Sequence, residues 1–436
     1  MNRRRRAALS WVAIAAIAAV VLVGAVLRSN RFSVAEVDVA PGTAWLALVA
    51  SGEAMLVNGG SGEVALRVAV AEPGSPLEVV QHGDGAIVLD KEGATLQTVS
   101  ARSFEPTGVT PIGSVPDSLV PGERTVHVTT DEAILTFDPA TLEPTGEVAL
   151  AGELDALVDR DERLWVLDHG NDALHRVEGD EIAESLDPGE LGAAAALTLV
   201  DDRPVVVDPA SATITVVDDD GLGPAVEVGA LAPGGDVLVV EPRPGVELPA
   251  ILMIVPEEGR YLACDVDAPA RCEDLTFGGA GDSFGPPQYV DDRLFVPDRT
   301  TGRVVVIDTR RNEHITTTTV LREPTQQLEL VATDDLVWFN NLGGSEAGVL
   351  DENGEVRRVV RKLGDDVELT DDALGEGDGE GTIERRDGGV GDDVAPDDAS
   401  GDEADDAGTD TSDTSDAVDD GAADGTDTTT GVDDGG

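Results

Sequence analysis

Two anchor positions, mostly apolar and always twelve residues apart, recur eight times along this chain. The pairs are Trp45/Val57, Ile87/Val99, Thr125/Phe137, Trp165/Val177, Val205/Val217, Leu252/Cys264, Phe295/Ile307 and Trp338/Leu350. Successive first anchors lie 42, 38, 40, 40, 47, 43 and 43 residues apart. A period of this size holds one supersecondary unit and is too short for a domain, so each unit must bury its apolar face against its neighbours.

Unit four shows what the twelve-residue interval encodes. Leu164-Trp165-Val166-Leu167-Asp168 reads as a short strand, His169-Gly170-Asn171-Asp172 as a turn, and Ala173-Leu174-His175-Arg176-Val177 as the returning strand. Three residues past the first anchor an Asx residue stands in five units: Asp90, Asp168, Asp208, Asp298 and Asn341. Such a side chain can accept a main-chain N–H of the turn it opens. A second polar stop follows the second anchor in every unit, at Asn58, Ser100, Asp138, Glu178, Asp218, Asp265, Asp308 and Asp351.

An extended stretch also flanks each hairpin on either side, as at 328–332 and 355–360 in unit eight and 288–290 and 314–320 in unit seven. Four strands in about 40 residues make one blade of a β-propeller, whose radial repetition leaves only short, protected sheet edges. The expected fold class is all-β, a propeller of eight four-stranded blades over 34–363, or seven if one unit is degenerate. The first blade can begin near Val34 and the last end near Leu363. Unit six is the longest, and Pro242, Pro244 and Pro249 mark its excess as a loop inserted between two strands.

The stretch from Leu294-Phe295-Val296-Pro297-Asp298 through the Asp-containing turn to Val304-Val305-Val306-Ile307-Asp308 resembles the NHL and YVTN classes of bacterial propeller repeats. An N-terminal anchor, an eight-unit propeller and a closing Val337-Trp338-Phe339-Asn340-Asn341 unit are similar to the front part of large bacterial envelope proteins whose later regions carry fibronectin type III or Ig-like domains. This chain contains no such domain, which leaves open whether it continues into a longer protein.

The N-terminus suggests an address. Arg3, Arg4, Arg5 and Arg6 stand in a basic segment, 1–6, directly before the uncharged apolar run 7–27. At about 1.5 Å per residue that run spans a hydrocarbon core of about 30 Å. The positive-inside rule then keeps the Arg block cytoplasmic and everything after a short linker, 28–33, outside. The expectation is a single-pass signal-anchor in the cell membrane with an extracytoplasmic body. The rival reading is a cleaved signal peptide, for which Val23 and Ala25 form a poor site.

Charge is distributed unevenly. Of the formal −58, the tail 364–436 carries −25, from 27 acidic and 2 basic residues. Its Asp, Gly, Thr, Ser and Ala composition buries too little to offset ordering, so it reads as a disordered spacer with weak, diffuse cation association. The surface repels phosphates, which need Lys and Arg for most of their protein affinity, and this excludes nucleic acid as a partner. The stretch 376–387 has the alternate acids, sixth-position Gly and eighth-position Ile of an EF-hand loop, but Asp387 replaces the final Glu and no amphipathic helix flanks it.

Candidate chemistry is sparse. Cys264 and Cys272 are the only cysteines and are expected to form an extracytoplasmic disulfide across two adjacent strands. The five histidines, His82, His127, His169, His175 and His314, fall at non-equivalent places, unlike a metal site recruited from several blades. No Gly-x-Ser-x-Gly elbow occurs. The Asx residues either gather cations on one face or each cap their own turn, and their repetition favours the cap. Trp45, Trp165 and Trp338 sit at equivalent strand positions and belong to the core rather than to a sugar platform. No catalytic, cofactor or metal residue is assigned. The reading is a non-enzymatic protein-interaction or envelope-scaffold module with an envelope or extracellular protein as partner. The alternatives are a propeller-fold hydrolase or lyase, which needs polar residues from several blades at the central channel, and a carbohydrate-binding protein. Sites are expected where the units deviate: the unit-six insertion and the loops 340–347 and 168–172.

Overall fold

The computed structural model describes residues 42–362, apart from 219–220, 279–282, 324 and 326. The basic segment, the apolar run 7–27, the EF-hand-like stretch and the acidic tail lie outside the described residues. Within them no helix is long and apolar enough to cross a membrane, and the only helical turns are 3-10 turns at Val49–Ser51 and Pro256–Glu258.

Eight antiparallel sheets follow one another along the chain, and the molecule is an eight-bladed β-propeller. Blade two is representative, with Leu77–His82, Gly85–Asp90, Thr95–Ser100 and Gly108–Pro111 paired in chain order. Its anchor Ile87 lies opposite Thr98, one residue before the anchor Val99. The same register holds for Trp45 with Leu56, Trp165 with Arg176, Val205 with Val216, Leu252 with Ala263, Phe295 with Val306 and Trp338 with Val349. The twelve-residue interval is therefore the second and third strand of a blade joined by a four-residue turn.

Unit three departs from this. Its second strand is Val126–Thr130, and Val126 pairs with Phe137. The expected anchor Thr125 falls outside the strand. His127 occupies the anchor's place, and the hairpin is two residues tighter than the others. Blade five is also irregular: Gly221–Leu222 and Val226–Glu227 both pair with its third strand, Thr213–Asp218. Blade six keeps only Leu238–Val239 as its first strand, and the expected insertion follows before Ile251–Val255.

The apolar core is divided among the spaces between adjacent blades. Val88 and Val99 of blade two pack with Trp45 and Leu56 of blade one, and Trp338 and Val349 of blade eight pack with Leu46 and Met55 on the other side of blade one. Period-2 alternation feeds both faces of each sheet, which is why second strands read as continuous apolar runs. Trp45, Trp165 and Trp338 are 1%, 4% and 0% exposed, as core residues should be. Gly52, at φ 65°, stands where a Cβ would meet the Ala71 carbonyl oxygen at 2.3 Å, so this tight turn admits only glycine.

The ring closes between blade eight and blade one without sharing a strand. Asn340, fully buried, donates from Nδ2 to the Ala47 carbonyl at 3.0 Å and to Glu329 Oε2 at 3.1 Å. Its Oδ1 accepts from Lys362 Nζ at 2.7 Å. Arg67 of blade one donates to the Lys362 carbonyl. Burial pushes the Lys362 ammonium down to about 7, opposed by the Glu329 carboxylate.

Candidate functional site: an acidic central channel

Four of the five Asx residues cap their own turns. Asp168 Oδ1 accepts the N–H groups of Gly170 and Asn171 at 2.9 and 3.1 Å. Asp298 does the same for Thr300 and Thr301 at 3.0 and 3.1 Å, Asp208 for Ala210 at 3.0 Å and Asp90 for Gly93 at 2.9 Å. At Asn341 the turn is held instead by the main-chain carbonyl, which accepts Gly344 N–H at 3.1 Å. All five close second strands, so they mark one face of the propeller.

Cys264 and Cys272 form a disulfide between directly opposed residues of the third and outermost strands of blade six, with Cα atoms 4.0 Å apart. This places the pair on the blade's outer half, away from the centre. The insertion points the other way. Arg243 reaches from it to donate to the Ala332 carbonyl of blade eight at 3.0 Å, and so spans the ring.

First strands of successive blades meet around a central channel of about 700 Å³. The second residue of that strand is acidic in blades two, three, four and eight: Glu78, Asp117, Asp155 and Glu329. Glu78, Asp155 and Glu329 lie opposite Leu89, Leu167 and Asn340, each two residues past a first anchor. Asp117 occupies the bulge between Pro116 and Ser118. In blades five and six the place passes to Ala196 and Leu238, opposite Val207 and Ile254. At this position the channel is therefore acidic in blades eight, two, three and four and apolar in blades five and six.

These carboxylates are built into the frame. Glu78 accepts Leu119 N–H of blade three at 2.7 Å and holds Lys91 at 2.9 Å. Asp155 accepts Leu197 N–H of blade five at 2.6 Å. Burial pushes the Asp155 carboxyl up, against that hydrogen bond and the nearby His169. Burial likewise raises Glu329, against Asn340 and Lys362.

Glu241, from the insertion, joins them. It lines the channel with its side chain exposed to that space yet surrounded by protein, and that enclosure, with Asp155 and Glu78 adding to it, lifts the carboxyl to about 7. Such an arrangement attracts cations and can hold or release a proton near neutrality. Among the described residues no three His, Cys, Asp or Glu side chains converge as metal ligands.

Sequence reasoning passed over these acids. A signal existed: Glu78 and Glu329 precede their anchors Ile87 and Trp338 by nine residues, and Asp155 precedes Trp165 by ten. Alignment on hairpins alone leaves the preceding strand unaligned, because the turns joining it differ in length.

No protein-family description and no curated protein sequence matches the chain. Solved structures do. Apo AztD from Citrobacter koseri superposes with a TM-score of 0.56 at 12% identity, over 73% of this chain and 95% of that one. The dihydro-heme d1 dehydrogenase NirN in complex with DHE gives 0.56 at 10% identity, over 73% of each chain. BamB from Moraxella catarrhalis gives 0.50 at 13% identity, over 68% and 88%. At these identities the likeness is one of fold, and it places the chain among β-propeller proteins. The NHL or YVTN class, and the likeness to fibronectin-bearing envelope proteins, rest on the sequence resemblance alone.

Proposed function

We propose that this is a non-enzymatic propeller anchored in the cell membrane by 7–27 and presented outside the cytoplasm, where it serves as a protein-interaction or envelope-scaffold module. The observation that carries the reading is the use made of the channel acids: Glu78 and Asp155 each spend a carboxylate oxygen on the main chain of the next blade. They tie the disc together and at the same time charge its centre. A rigid, acidic disc suits a partner that offers a basic segment.

The test is affinity capture from envelope extract with the full chain and with a chain ending at 363. Recovery of one basic envelope protein by both, lost at high salt, is the expected result. Failure to recover a partner, together with turnover of an added substrate, sinks the reading. For the topology, protease added to cells stripped of any outer barrier should degrade the tail, and a protected tail overturns the orientation.

Glu241 favours a second reading, a hydrolase or lyase, since a carboxyl near 7 in a channel suits general acid or base work. Glu241→Gln would then abolish turnover and leave partner capture intact. Nothing favours carbohydrate binding: the three tryptophans in the described residues are buried.

A further inference from the structure

Blade four carries a hydroxyl, an imidazole and a carboxylate in series, away from the channel. Asp168 closes the second strand, His175 lies on the third strand, and Ser185 stands directly opposite it on the outermost strand, Glu181–Leu186. The imidazole is 8% exposed and Asp168 is wholly buried, whereas Ser185 is open to solvent. Nδ1 of His175 lies 2.9 Å from Ser185 Oγ, and Nε2 lies 3.6 Å from Asp168 Oδ2. The carboxylate is fixed in place: Oδ1 takes the two turn N–H groups, and Oδ2 accepts from Asn171 Nδ2 at 2.7 Å.

The carboxylate decides the tautomer. Nε2 is buried and has no hydrogen-bond partner nearer than Asp168, so the ring proton sits on Nε2, where the carboxylate attracts it. Nδ1 is then bare and accepts the Ser185 hydroxyl proton. His127 supplies the contrast: both its ring nitrogens meet Thr hydroxyls, and Thr136 is itself buried, so that contact only packs the blade. At His175 the base is enclosed and the hydroxyl is presented to solvent. A base oriented by a carboxylate beside an accessible hydroxyl is the arrangement that activates a serine nucleophile, with the two ring nitrogens exchanged between their usual duties.

We infer that Ser185 is a covalent acceptor site that takes an acyl group from an activated ester or thioester. Its Oγ bonds to the acyl carbon while the hydroxyl proton passes to His175 Nδ1. The bond from that carbon to the leaving oxygen or sulfur breaks, and Nδ1 returns the proton to the leaving group. The products are an O-acyl serine and a free alcohol or thiol, with no oxidant or reductant consumed. Asp168 is a positioning residue that acts through the tautomer. Ser185 lies near the end of blade four that the Asx turn marks, on the outermost strand, so an acyl group there projects from the rim of the disc and leaves the channel clear. For a scaffold this is a point of covalent attachment, and it stands whether or not the channel acids engage a basic partner.

The test is to treat the full chain with p-nitrophenyl acetate and to map acetylated residues over time by peptide mass spectrometry. Ser185 is expected to react about a hundredfold faster than Ser61, another exposed serine, and equal rates overturn the proposal. Ser185→Ala, on an exposed strand, should fold as before and lose the fast label, whereas an undiminished label places the reaction elsewhere and sinks the assignment. His175→Gln should bring Ser185 down to the rate of Ser61. Asp168→Asn keeps an oxygen for the turn, as Asn341 does by residue type in blade eight, yet offers an N–H to Nε2 and so favours the other tautomer. Its labelling rate should fall about tenfold or more and no longer rise with pH. An unchanged rate and pH profile in that variant contradicts the positioning role of Asp168.

Discussion

His127 is 5% exposed, with Nδ1 at 3.0 Å from Thr136 Oγ1 and Nε2 at 3.1 Å from Thr125 Oγ1. Burial lowers its pKa to about 4, opposed by Glu162. The unfolded chain takes up this proton near 6.5 and the folded chain only near 4, so the unfolded state binds more protons in between. The stability it contributes is therefore complete above about 6.5 and is lost as pH falls towards 4, on the order of 3 kcal/mol in full. His127→Gln should narrow the difference in urea midpoint between pH 4.5 and pH 7.5, and an unchanged difference rules this account out. The residue also shows where sequence reading slipped. Holding unit three to the twelve-residue interval selected Thr125, a residue outside the strand, and hid His127 at the true anchor place. Thr130, which closes that strand in place of an Asx residue, accepts Ala133 N–H at 2.9 Å through its hydroxyl. A Thr can do this work of Asp, and the substitution concealed the correct alignment.

At the scale of elements, the hairpins were legible because their chemistry is local: two apolar strands, a four-residue turn and a capping side chain. First and outermost strands were less so, because the segments joining them to the hairpin vary in length and the outermost strands are largely exposed and so carry weaker apolar patterning. Blade five divides its outermost strand between Gly221–Leu222 and Val226–Glu227, and the break falls at Gly223-Pro224, a turn dipeptide whose proline has no N–H to donate to the ladder. In blade six the outermost strand, Ala268–Thr276, is nine residues long and mostly exposed, and the disulfide pins it to the buried third strand. Closing so short a loop stabilises by about 2 to 3 kcal/mol. Reduction should lower the denaturant midpoint accordingly while leaving a channel reporter such as Glu241 titrating as before. A change in that titration would show that the blade's outer half is coupled to the channel.

For the whole molecule, the channel sets an opposite pH dependence. The Glu241 carboxyl, raised to about 7, keeps its proton when folded at pH values where the unfolded chain has lost it. Stability from this group is present below the ordinary glutamate range and is lost as pH rises through about 7. Glu241→Gln should therefore stabilise the protein at pH 8, on the order of 1 kcal/mol once solvent screening is allowed for, and leave it nearly unchanged at pH 4. Equal midpoints for the two proteins at pH 8 would remove Glu241 from the account. Blade number and the all-β class followed from a period that recurs from Trp45 to Leu350. The acidic arc did not, because it depends on which strand of each unit faces the centre. The seam between blades eight and one has a mechanical consequence. Every other junction is crossed by the chain itself, but here, among the described residues, blades meet through side chains and scattered polar bonds, with Gly42 of blade one beside Asp334 and Lys362 of blade eight beside Asn340. Tension applied between an anchored N-terminus and a partner holding the tail would run directly across this joint. Under load the disc would part there first, as a split washer opens at its cut, before any blade unravels.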